Sequence, residues 1–569
     1  MQGLQHFFRT RTDARRAPRK SLSVQYIAFL IHSFVGLKLS LLFTVVLLSG
    51  ALAVLSLEID WLLYSEFRAS SGDVRLGAGE LLDRLQAAYP EFGLSFFETM
   101  NQHPGFASFA MFNDAAGGFR YAWIDPYTGE VKGDTPVLTP GRFIGFLHST
   151  LYLPVIGRSV VNVFGLLTLL SLIAGLYAYP KFWRFFFRMP RTGNARVFWS
   201  DLHKLIGLWS LWFVLIIGVT GTWWFYENPL VSHLGAPNPV EPTNIKPLLS
   251  YGDMDNISGT MLSAASMISA VRKAYPDAQI LGINPPEHNA DPYTVTFAGD
   301  AWLVPNGRQN KLYLNPFTAD IIASHTVDKY TPAQRADMAM APLHLGNWAS
   351  GNAADLPVKL IWFVFGAGMT VLCISGLIIN LKRTARAARI VYSRNSIIRR
   401  LHKSWRIVRP WGRPFGLFKY MNVLLILGIG AGCGIALTLS SQGTKGAGFL
   451  YQPQPVGNWE VSMNAVAGLL EKDLNPIRPN ASVNFNVALP DAATQAFKFA
   501  YLRVGEPRTL RAPGILIHGP AGSRHADIHL PPALTGNEKI WLTAIGWDGQ
   551  VYQTQWSLDA NGKETIDGR

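Results

Sequence analysis

Cysteine is nearly absent from this chain, with only Cys373 and Cys433 in 569 residues. Both lie in apolar runs, where a thiol packs as a small hydrophobe. That excludes a disulfide framework, an iron–sulfur cluster and a thiolate zinc site. Charge is sparse too: 15% of residues are charged against 49% hydrophobic, with 17 Trp. Such a chain is too apolar and too aromatic to be disordered or to coat a nucleic acid. Acidic residues are the scarcer sign, 37 against 51 basic, for a formal net charge of +14. None at all falls between Lys382 and Lys419. No Gly-x-Gly-x-x-Gly fingerprint stands between a strand and a helix, so no nucleotide-binding domain is expected within the chain.

What the sequence does hold is five apolar runs at 34–56, 157–179, 205–226, 357–380 and 417–440, each long enough for the roughly 20 residues a spanning helix needs. The first has the length of a secretory signal. It lacks a small-residue cleavage site and continues into Glu58-Ile-Asp-Trp-Leu-Leu-Tyr64, so a retained anchor is expected. The basic residues collect in three segments, 1–33, 180–204 and 381–416. By the positive-inside rule these are cytoplasmic. The segments 57–147, 227–343 and 451–569 then fall on the opposite, periplasmic side of a bacterial inner membrane, and membrane lipid, not nucleic acid, accounts for most of the charge.

The two halves repeat one order: a histidine opening a helix, a soluble segment, a second histidine, then a helix ending in basic residues. Ile31-His32-Ser-Phe-Val-Gly36 and Leu202-His203-Lys-Leu-Ile-Gly207 share the His-x-x-x-Gly spacing, and the second histidines are His148 and His344. Parallel repeats are related by an axis along the membrane normal, so His32 faces His203 at one depth and His148 faces His344 at another. Paired neutral imidazoles on facing helices can hold a flat macrocycle, and no carboxylate or thiolate accompanies them to suit zinc or a di-iron site. Two haem b groups, each with two histidine ligands, are the expectation. The glycines one turn beyond His32 and His203 would open space for a porphyrin face. A single interfacial histidine can also snorkel or cap a helix; four at repeat-equivalent positions fit that reading less well. Lys38, Arg142 and Arg158 could neutralise haem propionates or reach for headgroups. His402 has no partner in the repeat.

In the soluble segments a helical pattern (Gly79 to Tyr89; Ala265 to Tyr275) precedes strands that turn at Asp125-Pro-Tyr-Thr128 and Asn315-Pro-Phe-Thr318. These read as two periplasmic α+β domains. The last segment, from about 451, alternates like a small all-β sandwich. His518, His525 and His529 cluster there and could bind a transition metal or nothing.

Together these motifs, with Pro342-Leu-His344-x-Gly346, make residues 25–385 resemble the PepSY-associated transmembrane family, which includes inner-membrane ferric-siderophore reductases. The resemblance implies two PepSY-like domains, and with the five apolar runs and the alternation beyond 451 the expected fold is an α-helical membrane bundle of about five helices carrying these two domains and a C-terminal all-β domain. It implies that His32, His148, His203 and His344 ligate haem iron. It also implies electron transfer from a quinol or a cytoplasmic reductase to a periplasmic Fe(III)-siderophore, with release of Fe(II). Other readings are a haem-based reductase of another periplasmic acceptor, a non-enzymatic PepSY-type binding protein, and a siderophore permease, for which broken helices and midplane polar sites would be the sign. The fifth helix and the all-β domain depart from the family pattern.

Overall fold

The computed structural model describes residues 23–113, 119–153, 156–238, 240, 246–249, 261–288, 290–305, 309–348, 355–394, 416–441, 448–467, 479, 482–519, 524–534, 537–558 and 564–566. The chain divides into two compact units. One holds Met1–Thr44, Val163–Thr222 and Gly368–Leu424; the other holds Val45–Asn162, Trp223–Ala367 and Leu425–Arg569.

Two helices, Gly157–Ala178 and Asp355–Ile379, are long and apolar enough to cross a membrane. Two further spans exist only as bent pairs, Val24–Gly36 with Ser40–Ala53 and Ala195–Trp209 with Leu211–Asn228, so the described residues hold two to four candidate spans. The expected straight helices at 34–56 and 205–226 are therefore broken, at repeat-equivalent Leu39 and Ser210. His32 and His203 lie on the shorter leading helices, Val24–Lys38 and Ala195–Trp209, and do not open the spans themselves. The fifth expected span coincides with the 26-residue helix Gly416–Ser441, in which Ile426–Thr438 is apolar. In the first unit the helices Gly157–Ala178 and Leu211–Phe225 touch backbone to backbone. A Cβ on Gly165 would stand 2.3 Å from the carbonyl carbon of Gly221, the close approach that small residues allow between membrane helices.

The second unit contains the sheets. Strands β1 (Gly93–Glu98), β2 (Ser108–Asn113), β3 (Phe119–Ile124) and β4 (Val131–Thr135) come from the first repeat. From the second come β5 (Ile280–Asn284), β6 (Tyr293–Phe297), β7 (Asn310–Leu314) and β8 (Ile321–His325). The two expected domains are one object: a single antiparallel sheet in the order β4-β3-β2-β1-β5-β6-β7-β8. Phe97 pairs with Ile283 and Glu98 with Gly282 at the seam, and Thr99 adds an amide bond to Leu281 O and a hydroxyl bond to Ile280 O. Fusing the repeats this way removes an exposed edge from each. The helices Ala78–Ala88 and Ala264–Ala274 bury Leu81, Leu82 and Leu85, and Met267, Ile268 and Val271, in one core with Phe97, Phe112, Val295 and Leu312.

The turn after β3 explains the Asp-Pro-aromatic-Thr motif. Asp125 Oδ1 accepts the amides of Tyr127 and Thr128, and its Oδ2 accepts the Ser70 amide at 2.6 Å. Asn315 accepts the Phe317 amide in the same way after β7. Burial alone would raise the Asp125 pKa, but the donated hydrogen bonds outweigh it and hold the carboxyl below its ordinary value. A depressed pKa gives stability that is present above the unfolded value near 4 and is lost as pH falls through the folded one. Asp125→Asn is therefore expected to lower stability at pH 7 by about 1–2 kcal/mol, the difference between charged and neutral acceptors. It should match wild type below both pKa values, in thermal unfolding followed by circular dichroism in detergent.

Beyond 448 the described strands form a five-stranded and a four-stranded antiparallel sheet. Phe449, Met463 and Phe485 of the first share a core with Phe497, Leu502, Ile540 and Leu542 of the second.

Candidate metal centres formed by two histidine pairs

His148 and His344 sit on two helices that begin alike. Thr139 caps Pro140–Thr150 with its side chain and is followed by Pro at the first position; Thr331 caps Pro332–Leu345 in the same way, completed by Gln334. Proline is favoured there because its missing N–H would be unpaired in any case. Both helices end at a left-handed residue, Leu151 and Gly346. His148 and His344 occupy the last turns. Buried Asp60 accepts the Gly141 amide at 2.7 Å and the Thr139 hydroxyl, a negative charge at a helix N-terminus that fixes where the His148 helix starts.

His148 and His344 face each other with ring centroids 6.3 Å apart. In the other unit His32 and His203 do the same at 6.2 Å. A metal–imidazole bond of about 2.0–2.1 Å plus roughly 1.1 Å from nitrogen to ring centre, taken twice, gives about 6.3 Å for two imidazoles flanking one ion. Among the described residues no group of three His, Cys, Asp or Glu could hold a metal, so an ion at either pair takes two protein ligands and needs its other positions filled from elsewhere.

The rings of His32, His148 and His203 are oriented by backbone carbonyls. Nδ1 of His148 donates to Val46 O at 2.9 Å, that of His32 to Ser171 O at 2.9 Å, and that of His203 to Leu372 O at 3.1 Å. The hydroxyls of Ser171 and Ser375 stand 3.1 and 2.8 Å from the same Nδ1 atoms of His32 and His203. A carbonyl can only accept, so Nδ1 carries the proton and Nε2 is left with its lone pair, the arrangement that metal-bound histidines use. Burial lowers the pKa of His148 against the pull of the Val46 bond, and burial with His148 opposite takes His344 down to about 3. Both imidazoles are thus neutral near pH 7, the form that ligates metal.

Each carbonyl is followed four residues later, one helical turn on, by a glycine against the same ring. A Cβ on Gly50 would lie 2.6 Å from His148 Cε1, on Gly175 3.2 Å from His32 Nδ1, and on Gly376 3.6 Å from His203 Cε1. Gly36 and Gly207, expected to open space for a porphyrin face, are of another kind: nothing lies within 4 Å of a Cβ at Gly36, and Gly207 meets only Leu372 at 3.6 Å. The signal for the others was present: Ile173-Ala-Gly175-Leu repeats as Ile374-Ser-Gly376-Leu.

The remaining predicted residues are less gathered. Arg142 donates to Pro136 O and Val137 O and lies 3.6 Å over the Tyr121 ring. Arg158 is exposed at the start of Gly157–Ala178. The Lys38 side chain and His402 lie outside the described residues. Of the aromatic residues on the third span, Trp224 packs 4.7 Å from His344, while Trp209 and Trp223 bond to Phe186 O and Asp337. His518 and His525 pair across an antiparallel bridge with rings 4.4 Å apart.

Fold and site define a membrane-spanning helical protein with a duplicated histidine unit and β-rich segments outside the spans. The chain belongs to the family described as the PepSY-associated TM region, whose model matches residues 29–383. A second model, described as an uncharacterised conserved protein, matches 418–559 and so takes in the last helix and the two-sheet region. The chain is 25% identical over 272 residues to the uncharacterized protein PA4219 of Pseudomonas aeruginosa, a match covering 42% of this chain and 63% of that protein.

Proposed function

We propose that the protein is a di-haem b oxidoreductase of the bacterial inner membrane that passes electrons outward to reduce a periplasmic Fe(III)-siderophore and release Fe(II). The observation that carries this is the pair of histidine couples whose spacing suits one metal ion each, with the Nδ1 protons of His32, His148 and His203 already committed to carbonyls. A flat tetrapyrrole fits a two-ligand site because it fills the four positions that the protein leaves open. Bound there, haem b would supply reversible one-electron chemistry. His32 with His203 would hold the group on the cytoplasmic side, where a quinol or cytoplasmic reductase delivers electrons, and His148 with His344 would hold the outer one. The chain's own work is to keep the His148 and His344 imidazoles neutral, to set the tautomer of His32, His148 and His203, and to fix ring positions through the capped helices and the glycines.

The basic segments at 1–33, 180–204 and 381–416 support an inside N-terminus. With that orientation the sheets would face the periplasm, where the acceptor would be met. The test is the reduced-minus-oxidised visible spectrum, with haem quantitation, of detergent-purified protein from cells grown with ample haem. Two b haems per chain are expected; a colourless protein would sink the reading.

A further inference from the structure

The helix that carries His148 is held at both ends, and the two ends are held differently. Asp60 and Thr139 fix its start. Past its last turn the chain runs through two successive left-handed residues that are not glycine, Leu151 at φ 53° and Tyr152 at φ 52°. The His344 helix ends instead at Gly346, which takes up the same conformation with no Cβ to crowd. Left-handed backbone at bulky side chains persists only where the surroundings over-determine it, and such strain collects at sites that use it.

Leu151 is fully buried. The Tyr152 ring packs 5.1 Å from Phe143 and 6.4 Å from Phe146, and its hydroxyl donates to Phe143 O at 3.2 Å, so the turn folds back on the helix it ends. A further hold comes from far along the sequence. The part of the helix Gly416–Ser441 that belongs to the second unit lies on this turn. A Cβ on Gly432 would overlap Tyr152 O and stand 3.0 Å from Tyr152 Cβ, and one on Gly428, a turn earlier, would meet Leu153 Cδ2 at 3.6 Å. Cβ atoms on Gly430 and Gly434 would meet nothing within 4 Å. Gly432 is therefore where this helix approaches the turn backbone to backbone, which only a residue without a side chain permits. The region matched at 418–559 has a second hold on the same unit, since the Gly519 amide donates to Glu287 O at 3.1 Å in the loop after β5.

We propose that the last helix is a positioning element for the outer histidine couple: Gly432, seated on Tyr152 O, holds the left-handed turn that keeps the His148 ring against Val46 O. The proposal rests on the reductase reading only for what the couple binds. His148 lies in the last helical turn before Leu151. A carbonyl displaced at Tyr152 shifts that helix end, and the ring with it, relative to Val46 O at 2.9 Å and to Gly50. Gly432 touches neither imidazole and acts through the turn. His32 and His203 belong to the other unit and should not respond. The C-terminal region that departs from the duplicated plan thereby gains a task, to brace one of the two couples.

The test uses the full chain in detergent, with Gly432→Ala and Gly432→Val beside Gly430→Val. Electron paramagnetic resonance tells the couples apart, because a low-spin ferric signal follows the angle between the two imidazole planes, 35° for His148 with His344 and 80° for His32 with His203. Gly432→Ala should shift the outer signal and leave the inner one. Gly432→Val should shift it further and lower the outer haem content by about tenfold, while Gly430→Val should leave both signals in place. Amide hydrogen exchange over 143–153 needs no haem, and it should quicken by about tenfold in Gly432→Val but not in Gly430→Val. Gly432→Ala carries the test should the valine prevent folding. An outer signal that stays put, or two signals that move together, would overturn the proposal, as would equal exchange in Gly432→Val and Gly430→Val. A haem-free protein would overturn the reductase reading, while exchange over 143–153 would still decide whether Gly432 holds the turn.

Discussion

Replacing His148 and His344 together is expected to remove no more haem than replacing either alone, whereas His203→Ala combined with His344→Ala should remove both haems. The reasoning follows from the geometry of the two couples. Rings 6.3 Å apart can serve one ion between them, so losing one imidazole already breaks the site and losing the second costs nothing further. His203 belongs to the other couple, 6.2 Å from His32, so its loss adds to that of His344. Haem quantitation on the three single variants and two double variants, all purified in detergent, gives the cycle. If the histidines only capped helices, each substitution would cost about 0.5–2 kcal/mol of stability, would add independently, and would leave the visible spectrum alone. A result in which the His148/His344 double variant loses twice what either single loses would also exclude a shared ion.

The pairing of the histidines was legible because duplication is a pattern of the whole chain: two His-x-x-x-Gly helix starts and two later histidines in the same order leave few ways to couple them. The starts of the helices bearing His148 and His344 were equally open to reading, since Thr139-Pro140 and Thr331-Pro332 carry the cap and first-turn proline, but their surroundings were read as part of the soluble segments. The fusion of the repeats into one sheet was not legible. Alternation identifies a strand and its buried face, while the neighbour of an edge strand is set by contacts far apart in sequence, here Phe97 with Ile283. The breaks at Leu39 and Ser210 were hidden for a related reason. Neither is Gly or Pro, and hydropathy averaged over a span runs straight across both. The ring-orienting carbonyls carry no side-chain signature at all, so Val46, Ser171 and Leu372 could be found only through the glycines that follow them.

Those glycines give the second large expected effect, and it is graded. A methyl group added at Gly50 would stand 2.6 Å from the His148 ring, at Gly175 3.2 Å from His32, and at Gly376 3.6 Å from His203. The first is a hard overlap, the second a squeeze, the third an ordinary contact. Overpacking of the first kind costs about 1–3 kcal/mol, and the ring can escape only by abandoning the Val46 carbonyl that fixes its tautomer. Gly50→Ala should therefore deplete the outer haem by about tenfold or more, the ratio that 1.4 kcal/mol sets. Gly175→Ala should weaken the inner haem less, and Gly376→Ala should leave its content near wild type. Gly434→Ala is the control, since nothing lies within 4 Å of its added Cβ and alanine is the better helix former. Haem content per chain and the thermal midpoint of haem loss, measured on the four variants side by side, read the gradient directly. The same loss at all four positions would mean that the glycines act through helix packing in general. Loss that follows the distances 2.6, 3.2 and 3.6 Å would mean that each ring is held in place by the absence of a side chain one turn from its carbonyl.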